Sequence, residues 1–153
     1  MNFRFLFVIS GLLMLSQWGC KKDSSPNWIY CQECGADQWV GVYQGKGDYY
    51  QGSDSSNVLN IETSLTIEKL YGNFLSMSVV GQDVYQTSFT ASKDDNEYFI
   101  NIPGSGKSLY LTLSQNDNQN RITGVTKVYH WEYLPDTILV IDHRLGFEVI
   151  RSE

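Results

Sequence analysis

The sequence predicts an all-β domain, an antiparallel meander of about eight or nine strands. Three observations carry this. Apolar and polar residues alternate with period two through most of the chain after residue 37. Short clusters of Gly, Asn, Asp, Ser and Pro separate the alternating runs, and these residues form tight turns. No long stretch shows the 3.6-residue apolar spacing of an amphipathic helix.

The elements follow in order. Residues 39–50 place Trp39, Gly41, Tyr43, Gly45, Gly47 and Tyr49 on one face. Glycines between aromatics let a strand bend and let another backbone approach closely. Next come Leu59, Ile61, Thr63, Leu65 and Ile67, with Asn60, Glu62, Ser64, Thr66 and Glu68 between them. The row Leu59, Ile61, Leu65 and Ile67 is expected to face inward. Leu75, Met77 and Val79 repeat the pattern, as do Tyr98, Ile100 and Ile102, and then Leu109, Leu111 and Leu113. Less regular strands are expected over residues 85–91 and 122–133. Residues 138–141 and 147–150 read as two further strands, with Asp142, His143 and Arg144 as a charged turn between them. Turns are expected at residues 71–73, 81–83, 93–96, 103–106 and 116–120.

Connections this short favour antiparallel neighbours. Such a meander either closes into a barrel or folds as a β-sandwich. The barrel makes a specific demand: the glycine-rich first strand pairs with the second strand and also with residues 147–151, because closure removes free edges.

Ahead of the domain lies a different kind of segment. Met1, Asn2, Phe3 and Arg4 precede an apolar run over residues 5–15. One base before a short apolar core is the layout of an export signal. As a helix the run reaches about 16 Å, and a bilayer core of roughly 30 Å needs about 20 apolar residues. The run ends at Leu15-Ser16-Gln17-Trp18-Gly19-Cys20, which resembles a lipobox, with small Gly19 before the cysteine that takes the lipid. Trp18 and Gln17 depart from the small residue and leucine usual there. Lys21, Lys22, Asp23, Ser24, Ser25 and Pro26 follow as a polar tether, and this start is similar to lipoprotein starts common in Bacteroidota. The resemblance implies that residues 1–19 are removed and that Cys20 is the acylated first residue, anchored to the outer membrane. Residues 20–36 would be the tether and 37–153 the domain.

Removing 1–19 from the 153 residues leaves 134, a single domain's length. The mature chain has 10 bases and 17 acids. An acidic surface without a basic patch argues against nucleic acid and against anionic lipid as a partner. Beyond Cys20 the cysteines are Cys31 and Cys34. Outside the cytosol such a pair reads as a disulfide. A redox pair wants a βαβ setting, a c-type haem wants His where Gly35 stands, and a zinc site wants two more ligands nearby.

Several motifs invite sharper readings. Gly104-Ser105-Gly106-Lys107-Ser108 resembles part of a phosphate loop, but Asn101 stands where the first glycine belongs and no helix follows. His130 and Glu132 share a strand face. A metal site would need a third convergent ligand, so no metal, cofactor or catalytic residue is assigned. His130 is expected to pack with Tyr129 and Trp131 at a sheet edge. The loops at Asp94–Glu97 and Asn116–Asn120 lack the spacing of a calcium loop.

Trp39 within a glycine-rich first strand resembles the start of lipocalin-like small barrels. Those barrels set a tryptophan at the barrel base, often with an arginine packed on it. Arg144 or Arg151 would be that arginine. Asp37 stands where the family has glycine. An ordinary aromatic core with bent strands accounts for the same residues. The functional expectation is a membrane-anchored, non-enzymatic binding or interaction module. A small apolar ligand inside the barrel and an envelope protein are its two candidate partners. The alternatives are an envelope hydrolase and a purely structural lipoprotein.

Overall fold

The computed structural model describes residues 26–31, 33–52, 56–92, 97–102, 106–116 and 119–152, with backbone alone for 97–102 and for Leu134. The leader, Cys20, residues 21–25 and residue 32 of the tether lie outside the described residues.

The chain forms β1 (Ile29–Tyr30), α1 (Ala36–Trp39), β2 (Gly41–Gln51), β3 (Leu59–Tyr71), β4 (Phe74–Gly81), β5 (Tyr85–Ser92), β6 (Glu97–Ile102), β7 (Lys107–Gln115), β8 (Asn120–Leu134) and β9 (Asp136–Arg151). All strand pairs are antiparallel. β2 to β5 form one meander and β6 to β9 another, and β9 pairs with β2 to join them. The first long strand is therefore laddered to the second and to the last, with Tyr43 opposite Arg151 and Gly47 opposite Phe147. No ladder joins β5 to β6 among the described residues, so the sheet is not closed. It nevertheless curls: the Tyr85 hydroxyl on β5 lies 2.8 Å from Thr126 Oγ1 on β8, two strands that do not pair.

Alternation builds the core as the sequence predicts. Ile61, Leu65, Ile67, Leu75, Met77, Val79, Leu109, Leu111 and Leu113 are buried. Leu145, Phe147 and Val149 complete the ring from β9. Leu59 is the exception. It shares the inward parity but is 53% exposed, because it opens β3 at the rim, past the end of the β4 ladder at Thr63. Glycines let the walls meet closely. A Cβ on Gly124 would lie 2.5 Å from Leu111 and 2.6 Å from Phe147, and one on Gly47 would lie 2.7 Å from Leu145. One on Gly45 would collide with the Glu148 carbonyl of the neighbouring strand.

Three expectations need correction. Trp39 does not begin the first strand; it ends α1 and is fully buried. Residues 138–141 and 147–150 belong to one 16-residue strand, β9. Consequently Asp142, His143 and Arg144 are not a turn. Continuous pairing to β8 carries the backbone through them, and a register shift opposite Val128 and Tyr129 accommodates one extra residue. The real turn is at Pro135, where the missing N–H and fixed φ favour a reversal.

The two ends of the barrel-like body differ. At the base, Cys34, Ala36 and Trp39 plug the interior. The Tyr43 hydroxyl donates to the Trp39 carbonyl at 2.8 Å, and Arg151 donates to the Val40 carbonyl while lying 5.9 Å from the Tyr43 ring. Of the two candidate arginines, Arg151 is at this end. Arg144 lies at the other end, over Tyr50. At that far end β8 and β9 run on past their neighbours. β7 begins opposite Val128 and β2 ends opposite His143, so, among the described residues, 130–134 and 136–140 ladder only to each other, as a two-stranded hairpin.

Candidate functional site

Cys31 and Cys34 are joined in a disulfide, with Cα atoms 5.7 Å apart. The Cys31 amide donates to the Leu113 carbonyl at 2.9 Å, and Ile29 and Tyr30 pair with Gln115 and Ser114. The neck is thus stapled to the base of the sheet. Trp28 adds a cation–π contact, with the Arg121 guanidinium 4.6 Å from its ring.

Gly104 and Ser105 lie outside the described residues; Gly106 directly precedes β7, which Lys107 opens. The stretch therefore leads into a strand and not a helix, so it lacks the helix N-terminus that a phosphate loop uses. Gly106 has φ +65°, and a Cβ there would collide with the Tyr129 carbonyl. The Asp94–Asn96 loop and residues 117–118 lie outside the described residues. Asn116 accepts the Gln119 amide at 2.8 Å, a local turn bond.

The two histidines sit at the far end, on either side of the rim. His143 is on the interior parity of β9. Its Nδ1 is 2.7 Å from the Tyr49 hydroxyl, and its ring stacks on Tyr49 at 5.9 Å. Tyr85 meets the same imidazole edge-on at 6.5 Å. Burial pushes the Tyr85 phenol up to about 12, against the opposing bond to Thr126. Burial also raises Tyr49 and Tyr43. Tyr49, Tyr85 and His143 line the upper interior with Thr63, Thr87 and Thr126, the three threonines all buried, while Tyr43 lies at the base. Thr87 Oγ1 has no hydrogen-bond partner among the described residues. Sequence reasoning missed this cluster, because its members are 94 residues apart (Tyr49 and His143) and 41 apart (Tyr85 and Thr126).

His130 is exposed on the hairpin. Its Nδ1 is 2.8 and 3.0 Å from the two Asp142 carboxylate oxygens, and its Nε2 is 3.4 Å from Glu132. The Asp142 bond raises its pKa, and Glu132 adds to the rise. His130 is expected from the sequence to pack with Tyr129 and Trp131 at a sheet edge, but it is on the opposite face from both. Neighbours in a strand point to opposite faces, so those aromatics lie on the other side of the hairpin. Each imidazole nitrogen already faces a carboxylate. Among the described residues no group of three or more His, Cys, Asp or Glu side chains is placed to hold a metal.

The hairpin is otherwise apolar and exposed. Trp131 is 49% exposed, Tyr133 74%, Ile138 49% and Leu139 47%. Trp131 pairs with Leu139, Tyr129 with Ile141, and Tyr133 with Thr137, so these six share one face without a charge. Exposed apolar side chains are common one by one, but contiguous ones on a single face are not. Two other depressions lie on the outer wall, one over Gln44, Glu62 and Gln82 and one over Lys46, Asp48 and Asn60. Both are shallow, and their polar groups pair locally, as Asn60 does with Asp48 at 2.9 Å.

No protein-family model matches the chain, and neither curated proteins nor solved structures show one similar to it.

Proposed function

We propose that this chain is a lipoprotein anchored in the outer membrane through Cys20, whose domain is a non-enzymatic interaction module. The observation that supports this best is the polarity of the domain. The stapled neck enters at the Trp39 end, where Ile29 pairs with Gln115. The exposed apolar hairpin stands at the opposite end, beyond Val128 and His143. From Cys20 to Ile29 the chain reaches at most roughly 30 Å, whereas the 16 residues of β9 span about 50 Å. A lipid at Cys20 therefore holds the base near the membrane and directs the hairpin toward a protein partner.

The surface reading is favoured over an internal apolar ligand. Added Cβ atoms at Gly47, Gly81 and Gly124 would each meet a side chain of the core at 2.5–2.7 Å, so at these positions the interior lacks room for a methyl group.

The anchor is tested by comparing wild type with Cys20→Ala. The wild-type protein should fractionate with membranes and carry the mass of an acylated chain beginning at residue 20. The variant should lose both properties. Equal membrane association and unmodified mass in the two proteins would overturn the lipoprotein assignment.

A further inference from the structure

The base of the body carries an exposed apolar tip of its own. β3 does not stop where its ladder to β2 ends, at Ile67 opposite Gly41. It runs on to Tyr71, turns through Gly72 and Asn73, and returns in β4 from Phe74. Leu70 is the extra residue of a bulge between Lys69 and Tyr71, and a bulge re-aims the side chain it inserts. Leu70 is 50% exposed, Tyr71 67% and Phe74 37%, and the two rings stack at 4.8 Å. A Cβ on Gly72 would meet nothing within 4 Å, so the turn stands clear of the other described residues. No charged residue lies between Leu70 and Phe74. The nearest base, Lys69, is bonded to Asp37 at 2.7 Å. Tyrosine rings, apolar in body and polar at the tip, collect at the headgroup layer of a bilayer.

What faces this tip follows from where the chain enters the body. Ile29, itself 64% exposed, pairs with Gln115 at the same end, and the chain from Cys20 to Ile29 reaches at most roughly 30 Å. A membrane holding Cys20 therefore lies beside the base, far from the hairpin patch of Trp131 and Leu139 at the other end of β9. We propose that Leu70, Tyr71 and Phe74 enter the interface of the bilayer that holds Cys20, and that this contact sets how the domain stands on the membrane. The proposal rests on the lipid-anchor reading and deepens it. A lipid alone attaches the chain but leaves the domain free to turn about its tether. Three side chains bind a bilayer weakly by themselves, but a short tether makes the contact intramolecular and raises its effective concentration to about the millimolar range. The recognised chemistry is a zwitterionic headgroup layer over acyl chains. Anionic lipid is disfavoured, because the tip offers no unpaired base and the mature chain has 17 acids against 10 bases. Apolar burial drives the contact, so salt should leave it unchanged.

The test uses the isotopically labelled chain from Cys20 onward, coupled through the Cys20 thiol to a maleimide lipid. It is placed in phosphatidylcholine nanodiscs with and without a lipid spin-labelled just below its headgroup, and read by NMR. This attachment keeps the tether's length and needs no natural acylation. The Cys20→Ala mass comparison tests acylation separately, so failure of the anchor and failure of the contact are distinguishable. The spin label should broaden the amide signals of residues 70–74 and spare those of 129–133 and 137–141, at low and high salt alike. Leu70→Ser/Tyr71→Ser/Phe74→Ser should lose the broadening, with the denaturation midpoint held. Tyr71→Asp, at the most exposed of the three, should weaken it in the same direction. Broadening that is equal at the two ends, confined to the hairpin, or retained in both variants overturns the proposal. So does a concentration-dependent dimer in the absence of lipid that either variant dissolves, which would assign the tip to a second copy.

Discussion

The two halves of β9 follow opposite rules within one strand. From Leu145 to Arg151 the pattern alternates: Leu145, Phe147 and Val149 are buried while Arg144 and Glu148 are exposed. From Thr137 to Ile141 every residue but the first is aliphatic, yet Ile138 and Leu139 are about half exposed. A continuous aliphatic run ordinarily means burial on both faces. Here the more hydrophobic half is the less buried one. Hydrophobicity along a strand does not by itself say how deeply the strand is buried, which depends on the elements beside it.

The sharpest way to break this contrast is to place a charge in each half. Val149→Asp buries an unpaired carboxylate and should cost several kcal/mol, enough to unfold the domain. Leu139→Asp should move the denaturation midpoint by no more than about 0.5 kcal/mol. Ile61→Asp against Glu62→Lys repeats the test on β3, with the same large and small outcomes. Equal losses in the two halves of β9 would mean that the hairpin packs on the body.

Gly124→Ala probes the tight half directly. Its Cβ would press on Leu111 and Phe147, and such overpacking typically costs about 1–3 kcal/mol. An unchanged midpoint would mean that the interior has slack.

Tyr85→Phe should cost about 1–3 kcal/mol by leaving Thr126 without its partner, measured by urea titration at neutral pH. It should also flatten the alkaline limb. The Tyr85 phenol ionises near 10 when unfolded and is held up to about 12 when folded. The unfolded chain therefore releases its proton first, and stability present below pH 10 is lost as the pH rises toward 12. Tyr43 and Tyr49, also raised by burial, keep part of that slope in the variant.

The smallest effect belongs to the exposed half. His130 should titrate above 6.5 by NMR, and Asp142→Asn should lower it by removing the largest cause of the rise. The associated stability is present below the unfolded value and fades as pH rises through the folded one. Because the group is exposed to solvent, the denaturation midpoint should barely register it. A His130 shift unaffected by Asp142→Asn would assign the rise to Glu132 instead.

The sequence by itself determined the all-β class and the inward rows of β3, β4 and β7. Period-two alternation dictates these, since a side chain's face follows from its parity alone. The Cys31–Cys34 bridge was legible for a similar reason, because the two cysteines lie three residues apart. The pairing of the glycine-rich strand with the last one is expected only from the barrel reading, and the structure has that ladder without closing the sheet. Tertiary structure decided what parity leaves open. Parity gives Leu59 the same face as Ile61, but only its place at the rim exposes it. Alternation cannot say whether residues 138–150 are one strand or two, because that depends on β8 continuing alongside through the bulge. The Tyr49–His143 and Tyr85–Thr126 contacts arise from the curl of the sheet. Whether residues 138–141 are buried depended on where β2 and β7 stop. Burial is a property of neighbours, and those neighbours lie too far away in sequence for any local pattern to announce them.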